Sequence, residues 1–513
     1  MLPLLLSSVT LLSAPALAAV AARGEGFIHA PVKATRGTPK LLRRQAEEAT
    51  TNHKAGTMYT LDIDLGTPPQ TITVILDTGS PDLWVNPTCE TSGEPEYCAQ
   101  FAQFDYTTSS TIADTGYADI LSYGKGNVTI EYVTDMVTIG SAQITDQIFG
   151  VNFESYDIPM GILGLSPAVN PAGGDYPFVL DNMASQGLIN SRAFSLDLRG
   201  VDSPDGAIIF GGIDTGKFIG NLEALPILDP SQTPSGADRY WVALTGLGVT
   251  LPDGTSQTSE EIAVPVFLDS GGTLSRLPTP IFQAIGDVFP GAQFDPDSGF
   301  YVVDCSVANQ PGSLDFVFNS KVISVAWADF IWELQEGVCV VGVLPGDDEP
   351  VFGDSFLRAA YVVYDQDNRS LHIAQAANCG TNVVAIGASG VPADLVGDCT
   401  GVEAPTPTAG AGGGLDVTQT RAPTNTITGA SPALTTLGFG GPGPAATGGR
   451  KSTTVGGLGP APTGTSNGGN GGNGGNGGNG GNGDKKNGAV AGVSVGSGAM
   501  VALAAVNVAA WLL

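Results

Sequence analysis

Two short segments of this chain are near copies of one another, and they constrain its fold more than any other feature. Residues 74–80 read Val-Ile-Leu-Asp-Thr-Gly-Ser, and residues 266–272 read Val-Phe-Leu-Asp-Ser-Gly-Gly. In each copy an apolar run predicts a buried strand, and the glycine allows a sharp turn after it. Each copy thus presents one carboxylate, Asp77 or Asp269, at a strand end. Two carboxyl groups that share a proton can perform acid and base chemistry on one water.

The repeat extends beyond these two segments. A Gly-Ile-Leu-Gly-Leu phrase at 161–165 follows the first copy, and Pro-Val-Phe-Gly-Asp at 350–354 follows the second. Gly164 of the first phrase lies 87 residues after Asp77, and Gly353 of the second phrase lies 84 residues after Asp269. A duplicated lobe explains this match. We place the boundary in a Pro/Ser/Gly stretch, which gives an N-terminal lobe at 45–235 and a C-terminal lobe with an extension at 236–402.

The body of the chain, residues 57–378, has the pattern of a mainly β protein. Short runs of β-branched and aromatic residues alternate with Gly, Pro, Asn and Asp turns. We predict two helices, at 178–186 and 278–288. The clearest predicted strands are Tyr59–Leu65, Gln70–Leu76, Val128–Ile139, Ala207–Phe210 and Ala360–Tyr364.

Charge and cysteine content narrow the class of protein. The 513 residues carry a formal net charge of −29, which argues against a nucleic-acid partner because phosphates require Lys and Arg. This charge suits an acidic medium and can attract basic substrates. Six cysteines fall into three sequence-local couples without metal-site spacing, a pattern of disulfides in an exported protein. The three histidines are scattered, so we expect no metal site, no cofactor and no Ser-His-Asp triad.

The N-terminus has the pattern of an exported precursor. Residues 1–18 are mostly apolar and end in Ala-Leu-Ala, which predicts a signal peptide. A membrane anchor is the alternative, but the apolar run is short and broken by proline. Residues 19–44 form a predicted pro-segment that ends at the dibasic pair Arg43-Arg44. A processing protease that cuts after Arg44 would make Gln45 the mature N-terminus.

The C-terminus has the pattern of a glycosylphosphatidylinositol (GPI) attachment signal. Small residues at 487–489 are followed by a weakly polar spacer and an uncharged apolar tail at 499–513. Asn487 is the predicted attachment site, and residues 488–513 would be removed. A transmembrane span is the alternative, but the tail is shorter than the roughly 20 residues a bilayer needs. Residues 403–487 are rich in Thr, Pro, Gly and Asn, and we predict a disordered stalk.

Seven phrases, in order, resemble the pepsin-like aspartic proteases across roughly residues 57–378. This resemblance implies a bilobal fold with two pseudo-symmetric β lobes, an active-site cleft between them, and peptide-bond hydrolysis at acidic pH. With its predicted leader, dibasic site, stalk and tail, the chain is most similar to the fungal GPI-anchored yapsin-like branch at the plasma membrane or cell wall. The phrases lie at residues 77–85, 123–126, 161–164, 210–213, 240–241, 269–271 and 352–358.

The resemblance also implies roles for individual residues. Asp77 and Asp269 would hold the attacking water between them, without a covalent intermediate. Tyr123, followed by Gly124, would be the tyrosine of a flap that closes over protein or peptide substrates, with Trp84 as its hydrogen-bond partner. We expect a monomer. The implied supporting residues of the active site are Thr78, Gly79, Ser80, Ser270, Gly271 and Thr273.

The chain departs from the family pattern at two positions. Gly272 stands where the family usually has Ser or Thr, so Asp269 would lack one hydrogen bond and have a modestly raised pKa, unless water or Thr273 substitutes. Lys125 stands where some fungal relatives carry an acidic residue that accepts a basic P1 side chain. Yapsin-like enzymes cut after Lys or Arg, and Asp119 or Asp354 are the alternative acidic groups for that specificity.

Covalent modifications complete these expectations. Two sequons predict N-glycosylation at Asn127 and Asn368. The first sequon lies at the flap, where we expect a glycan to crowd the cleft. By analogy with the family, the disulfides would be Cys89–Cys98, Cys305–Cys339 and Cys379–Cys399.

Two other functions compete with a surface-anchored acid endopeptidase that processes proteins at basic residues. One is a broad-specificity pepsin-like protease that is secreted or vacuolar, with a tail that is not a GPI signal. The other is a non-catalytic cell-surface glycoprotein that keeps the bilobal fold as a binding module. Both carboxylates and the flap tyrosine are present in the sequence, which favours the enzyme.

Overall fold

The computed structural model describes residues 26–36 and 57–401, with gaps at 87, 93–94, 125, 157, 168–175, 200–205, 260–261, 297 and 336. Among these residues, no helix is both long and apolar enough to cross a membrane. Several predicted features lie outside the described residues: the predicted signal peptide, the predicted cleavage site at Arg44, Lys125, the predicted stalk, Asn487 and the apolar tail.

The described chain is built mainly from strands. Those of the first half are β1 (Ile28–Arg36), β2 (Thr57–Leu65), β3 (Gln70–Asp77), β4 (Leu83–Val85), β5 (Ala113–Tyr123), β6 (Gly126–Ile139), β7 (Ala142–Tyr156), β8 (Ile162–Gly164), β9 (Ala193–Asp197), β10 (Gly206–Phe210), β11 (Gly212–Asp214) and β12 (Phe218–Pro226). Those of the second half are β13 (Trp241–Leu244), β14 (Gly246–Thr250), β15 (Ser256–Thr258), β16 (Val264–Leu268), β17 (Ser275–Leu277), β18 (Gln293–Asp295), β19 (Phe300–Val303), β20 (Ser313–Phe318), β21 (Lys321–Ala326), β22 (Ile331–Gln335), β23 (Val338–Val341), β24 (Val343–Pro345), β25 (Val351–Phe352), β26 (Ala360–Asp365), β27 (Ser370–Ala376) and β28 (Val383–Ala385).

Helices are few and short. The α-helices are α1 (Pro95–Cys98), α2 (Val179–Ser185), α3 (Thr279–Val288), α4 (Trp327–Phe330) and α5 (Asp354–Leu357). In the part of the chain that the structure describes, 3₁₀ turns lie at Cys89–Thr91, Tyr106–Thr108, Thr215–Lys217, Pro230–Gln232 and Cys305–Asn309. All five predicted strands lie within observed ones, and both predicted helices are confirmed as α2 and α3. The mainly β fold class is therefore confirmed.

The two halves repeat one strand arrangement around their Asp segments. In the first, β3 pairs in parallel with β8, β8 pairs antiparallel with β4, and β4 pairs in parallel with β7. In the second, β16 pairs in parallel with β25, β25 antiparallel with β17, and β17 in parallel with β24. The shared order of parallel and antiparallel pairs supports the duplicated lobe, with one Asp segment at the centre of each copy.

A broad sheet joins the first lobe to a platform made by both halves. Its strand order is β12-β27-β26-β9-β10-β1-β2-β3-β8-β4-β7-β6-β5. The first six strands of this order form the platform; β1 comes from the start of the described chain, β9, β10 and β12 from its middle, and β26 and β27 from its last part. The second lobe contributes separate sheets of five, four and four strands, and β11 and β28 form a two-stranded sheet.

Strand β1 connects this platform to the first lobe, between β10 and β2 of the broad sheet, although it belongs to the predicted pro-segment 19–44. It pairs antiparallel with β10 through residues 28–32 and with β2 through residues 33–36. Alternate side chains Ile28, Ala30 and Val32 are buried in the main core. A cut after Arg44 would therefore separate an internal strand of the platform from the chain with which it pairs.

The extension after β27 is held against the first half of the chain. Strand β28 pairs with β11, and the Cys379 N–H donates to the Gly216 carbonyl at 3.0 Å. The three predicted disulfides, Cys89–Cys98, Cys305–Cys339 and Cys379–Cys399, are all formed. The last of them closes the extension over the platform, so the described chain ends on this side of the molecule.

Candidate active site

The two repeat carboxylates meet between the lobes. Asp77 is the last residue of β3, and Asp269 directly follows β16. A Cβ atom at Gly79 would lie 2.6 Å from the Asp269 carboxyl carbon, and one at Gly271 would lie 2.7 Å from Asp77 Oδ1. Each glycine thus lets its loop reach the opposite carboxyl group. Asp77 is almost fully buried, whereas Asp269 is partly exposed.

Thr78 and Ser270 lock the two loops together by reciprocal hydrogen bonds. The Thr78 hydroxyl donates to the Leu268 carbonyl at 2.9 Å and accepts from the Ser270 N–H at 3.0 Å. In return, the Ser270 hydroxyl donates to the Leu76 carbonyl at 2.8 Å and accepts from the Thr78 N–H at 3.2 Å. Both side chains are buried, so all four bonds are shielded from water. They fix the separation and orientation of the carboxyl groups.

Hydrogen-bond donors are distributed unequally over the two carboxyl groups. Asp77 accepts from the Gly79 N–H at 2.7 Å and from the Ser80 hydroxyl. Asp269 accepts from the Gly271 N–H at 2.8 Å. Donors favour the ionised form of a carboxyl group, and Asp77 has the additional hydroxyl.

The pKa of Asp269 is raised well above its usual range. Burial is the main cause, and the neighbouring Asp77 contributes by charge repulsion and by a hydrogen bond between the two carboxyl groups. The Gly271 N–H and the more distant Arg239 act in the opposite direction. These surroundings favour the protonated form of Asp269, on the side predicted from Gly272 to have the higher pKa.

The space beside Gly272 is open. A Cβ atom there would meet nothing closer than the Asp269 carbonyl oxygen at 3.8 Å, with Asp269 Oδ2 at 4.0 Å. A Ser or Thr side chain would fit and would bring its hydroxyl towards that carboxyl group. Thr273 is buried, and its carbonyl accepts from the Ser355 N–H at 3.1 Å. Its proposed role as a substitute donor stays a prediction.

Restoring the missing hydroxyl is expected to shift the pH dependence of catalysis. In Gly272→Thr, a hydrogen bond to the ionised form of Asp269 should lower its raised pKa. The alkaline limb of the kcat/KM profile reports loss of this proton, so it should move to lower pH by about half to one unit. Gly272→Ala adds the Cβ atom without the hydroxyl and is the matched control. If the alkaline limbs of the kcat/KM profiles of wild type and Gly272→Thr coincided, the role assigned to this position would be contradicted.

The predicted flap is present as the hairpin of β5 and β6. Tyr123 ends β5 and pairs with Gly126 across the turn that contains Gly124. Trp84 Nε1 donates to the Tyr123 hydroxyl at 2.8 Å, as the resemblance implied. Burial raises the pKa of Tyr123 well above its usual range, and the negative charges of Asp82 and Asp77 raise it further. The tyrosine therefore remains a neutral hydrogen-bonding group next to the carboxyl pair.

An apolar cluster lies under the flap. Ile75 on β3 and Ile162 on β8 are register partners two residues before the carboxylate end of β3. They pack with Trp84 and Met160, and Tyr123 packs against this cluster from the flap. The packing beneath the flap on this side of the carboxyl pair is therefore apolar.

The acidic residues considered for basic specificity do not line an open subsite. Asp354 is buried on α5, and burial raises its pKa well above the usual range despite the nearby Arg358. Asp119 is also almost fully buried on β5, where its Oδ1 accepts from the Ile120 N–H. Neither carboxylate is placed to meet a substrate cation.

One buried group near the site was missed by sequence reasoning. Asp82 accepts hydrogen bonds from the hydroxyls of Tyr132, at 3.1 Å, and Tyr176. These tyrosines lie 50 and 94 residues away along the chain, so no local pattern indicates the cluster. Because Asp82 is buried and its Oδ1 accepts from both tyrosines, it acts as a structural anchor for this side of the cleft.

Comparison with known families agrees with this geometry. The family model described as eukaryotic aspartyl protease matches residues 58–376. The chain belongs to this family. The match includes both carboxylates, both loops of the reciprocal hydrogen bonds and the flap, so the protease is an aspartic endopeptidase of the pepsin-like type.

Similar proteins come from fungi. The protease is 35% identical over 403 residues to "Probable aspartic-type endopeptidase OPSB" of Arthroderma benhamiae, which covers 73% of this chain and 78% of that protein. It is 32% identical over 381 residues to Candidapepsin-1 of Candida albicans, covering 70% of this chain and 92% of that protein. The crystal structure of an aspartic proteinase from Irpex lacteus matches with a TM-score of 0.53 and 22% identity, over 68% of this chain and 98% of that one. This last likeness supports the bilobal fold.

Proposed function

We propose that the protease is an exported, surface-anchored acid endopeptidase with Asp77 as general base and Asp269 as general acid. The observation that carries this proposal is the unequal carboxyl pair. Asp77 has the extra hydroxyl donor from Ser80, while the raised pKa of Asp269 retains the shared proton. Such a pair can activate water and protonate a carbonyl oxygen in the same step.

The catalytic steps follow from this assignment. The Asp77 carboxylate takes a proton from water as its oxygen attacks the scissile carbonyl carbon, and Asp269 donates its proton to the carbonyl oxygen. The product is a neutral tetrahedral diol. Asp77, now protonated, transfers its proton to the amide nitrogen, the C–N bond breaks, and a diol hydroxyl returns its proton to Asp269 as the carbonyl re-forms. Closure of the flap over the substrate excludes other water.

For the substrate, we favour an apolar side chain at P1. The buried cluster around Ile75 and Ile162, with Tyr123 packed against it, makes the protein beneath the flap beside the carboxyl pair apolar. The alternative, cleavage after Lys or Arg, requires a desolvated cation to find a carboxylate, and Asp119 and Asp354 are buried within the protein. This argument favours broad cleavage at apolar residues by the surface-anchored enzyme over processing at basic residues.

A peptide library tests activity and specificity together. The protein secreted from the full chain is assayed between pH 3 and 7, with Asp77→Asn as the inactive control. We expect acid-optimal cleavage that the variant lacks, with Phe, Leu or Met at P1. A preference of more than about tenfold for Lys or Arg would overturn the apolar assignment. Equal inactivity of both proteins after confirmed cleavage at Arg44 would favour the non-catalytic binding module.

Surface anchoring rests on the sequence of the C-terminus, outside the described residues. The described chain ends in the disulfide-closed extension, away from the flap in the strand order of the broad sheet. A stalk from this point would hold the cleft away from the membrane. Treatment of intact cells with phosphatidylinositol-specific phospholipase C should release the protease into the medium. Release that is already complete before treatment would favour the secreted alternative.

Processing after Arg44 should leave the β1 peptide bound. The strand is hydrogen-bonded along both edges and buries three apolar side chains. Residues 45–56 contain no Val, Ile, Leu, Met or Phe that could replace those side chains. Native mass spectrometry should therefore detect a two-chain complex, and denaturing conditions should separate the peptide. An Arg44→Gln variant is the uncut control, and a fully active enzyme that lacks the peptide would contradict this expectation.

A further inference from the structure

The two predicted glycosylation sites lie in very different surroundings. Asn127 is exposed on β6, one residue after the flap turn, and is paired across strands with Ser122 and Tyr156. Its neighbour Val128 is fully buried. Because side chains alternate along a strand, Asn127 points to the face opposite the one that Val128 and Tyr123 present to the cleft. The expectation that a glycan here would crowd the cleft is therefore wrong.

This outer flap face, defined by Ile120, Ser122, Asn127, Thr129 and Tyr156, carries two large exposed hydrophobic side chains. Tyr156 is 66% exposed and Ile120 is 61% exposed, the two highest values among the large hydrophobic residues of the described chain. Tyr156 is directly opposite Asn127, and Ile120 is directly opposite Thr129. Both residues that define the sequon thus have an exposed apolar side chain as cross-strand neighbour.

Cross-strand partners have Cβ atoms about 4.5–5.5 Å apart, which is within reach of the first sugar attached to an asparagine. The apolar face of that sugar can cover an aromatic ring and an aliphatic side chain that would otherwise contact water. An attached glycan therefore explains why these two residues are exposed next to the sequon.

Asn368 is also exposed, but its side-chain amide is engaged in a hydrogen bond and packed against the chain. Its Nδ2 donates to Asp365 Oδ2 at 2.9 Å, and its backbone N–H donates to Asp365 Oδ1 at 3.1 Å. A Cβ atom at Gly390 would lie 2.3 Å from this Nδ2, so the backbone of the C-terminal extension packs directly against the amide. A sugar on this nitrogen would displace the extension from the buried Asp365.

We propose that Asn127 carries an N-linked glycan whose first sugars lie on Tyr156 and Ile120, while Asn368 remains unmodified. This inference rests on the proposed export of the chain. The glycan covers the outer flap face and leaves the cleft open, so it stabilises the hairpin without restricting access of short substrates.

Glycopeptide mass spectrometry tests occupancy. The full chain is expressed in a eukaryotic secretory host and digested with and without peptide N-glycosidase F. We expect Asn127 to be modified, Asn368 to be unmodified, and Asn127→Gln, but not Asn368→Gln, to lower the glycan mass. A secreted, active protease with unmodified Asn127 overturns the glycan while leaving the proposed function intact. Retention in the cell with an uncleaved signal peptide overturns both.

A double-mutant cycle tests the packing. Asn127→Gln should lower Tm by about 2 °C in the wild-type background and by less than half as much in Tyr156→Ser. Thr129→Ala, which removes the sequon but keeps the asparagine, should reproduce the first shift, and Ile120→Ser provides a second apolar variant. Equal shifts in all backgrounds overturn the docking of the sugar. So does a rise of more than about tenfold in kcat/KM for a short peptide on loss of the glycan, since it would place the sugar over the cleft.

Discussion

Asp77→Asn and Asp269→Asn are each expected to lower kcat/KM for a peptide substrate by at least about 10³-fold. An amide cannot take a proton from water as Asp77 must, and it cannot supply the proton that Asp269 holds. In Asp77→Asn the oxygen of the new amide can still accept from the Gly79 N–H, so the loop should keep its conformation. Steady-state kinetics near pH 4 and thermal unfolding of the same samples measure the two effects separately.

A buried carboxyl group outside the site provides the matched control. Burial raises the pKa of Asp197 on β9 to about 7. Arg199 opposes this shift, because its Nε lies 2.8 Å from Asp197 Oδ2. The group is therefore protonated at pH 4, where an asparagine is a close mimic. Asp197→Asn should keep wild-type activity at that pH. Residual activity within tenfold of wild type in either active-site variant would contradict the assigned roles.

The same raised pKa predicts how stability varies with pH. The carboxyl group of Asp197 binds its proton up to about pH 7 in the folded protein, but only up to about pH 4 when unfolded. The folded state therefore holds more protons between these values, and the stabilisation is present at low pH and lost as pH rises to 7. This dependence agrees with an enzyme that works in an acidic medium, and Asp197→Asn should flatten it.

The parts of the site that could be predicted from sequence are those specified by short contiguous motifs. The two Asp segments combine a short apolar strand with a glycine turn, and each motif specifies its own backbone path. The duplication then provides the second carboxylate, because two lobes with the same strand arrangement, packed together by a pseudo-twofold relation, place corresponding strand ends next to each other. The positions of Asp77, Asp269 and the flap Tyr123 follow from such local patterns.

The parts that could not be predicted depend on contacts between distant residues. Asp82 is buried because two tyrosines from distant parts of the chain converge on it, and nothing near it in the chain indicates this. Asp354 ends the second repeat phrase and is a candidate from the sequence for basic specificity, yet helix α5 turns it into the core. Strand β1 has the alternating pattern of a strand, but its place between β10 and β2 is set by segments far along the chain.

The glycosylation sites show the same distinction on the surface. Two sequons of equal quality in the sequence differ once cross-strand neighbours are known. Asn127 faces outward beside exposed apolar groups, whereas the Asn368 amide is committed to Asp365. The expected glycan occupancy therefore depends on the direction of the side chain at Asn127 and on the hydrogen bond at Asn368, and not on the sequon itself.

The glycines of the two loops give the other large expected effect. A methyl group at Gly79 would lie 2.6 Å from the Asp269 carboxyl carbon, and one at Gly271 would lie 2.7 Å from Asp77 Oδ1. Real Cβ atoms do not approach other atoms so closely, so each alanine must push the opposite carboxyl group away. A displacement of about 1 Å in a catalytic group can cost about 10²-fold in rate. Gly79→Ala and Gly271→Ala should each lose at least about this much kcat/KM.

Gly272→Ala separates this effect from a general intolerance of the loops to substitution. Its Cβ atom would find open space, with the nearest atom at 3.8 Å, so activity should stay near the wild-type value. None of the three glycines has a positive φ, which means that backbone strain cannot account for a difference between them. If all three variants were equally impaired, the loss would reflect loop rigidity. If Gly79→Ala and Gly271→Ala alone lost activity while remaining folded, the close approach of each loop to the opposite carboxyl group would be what makes the pair catalytic.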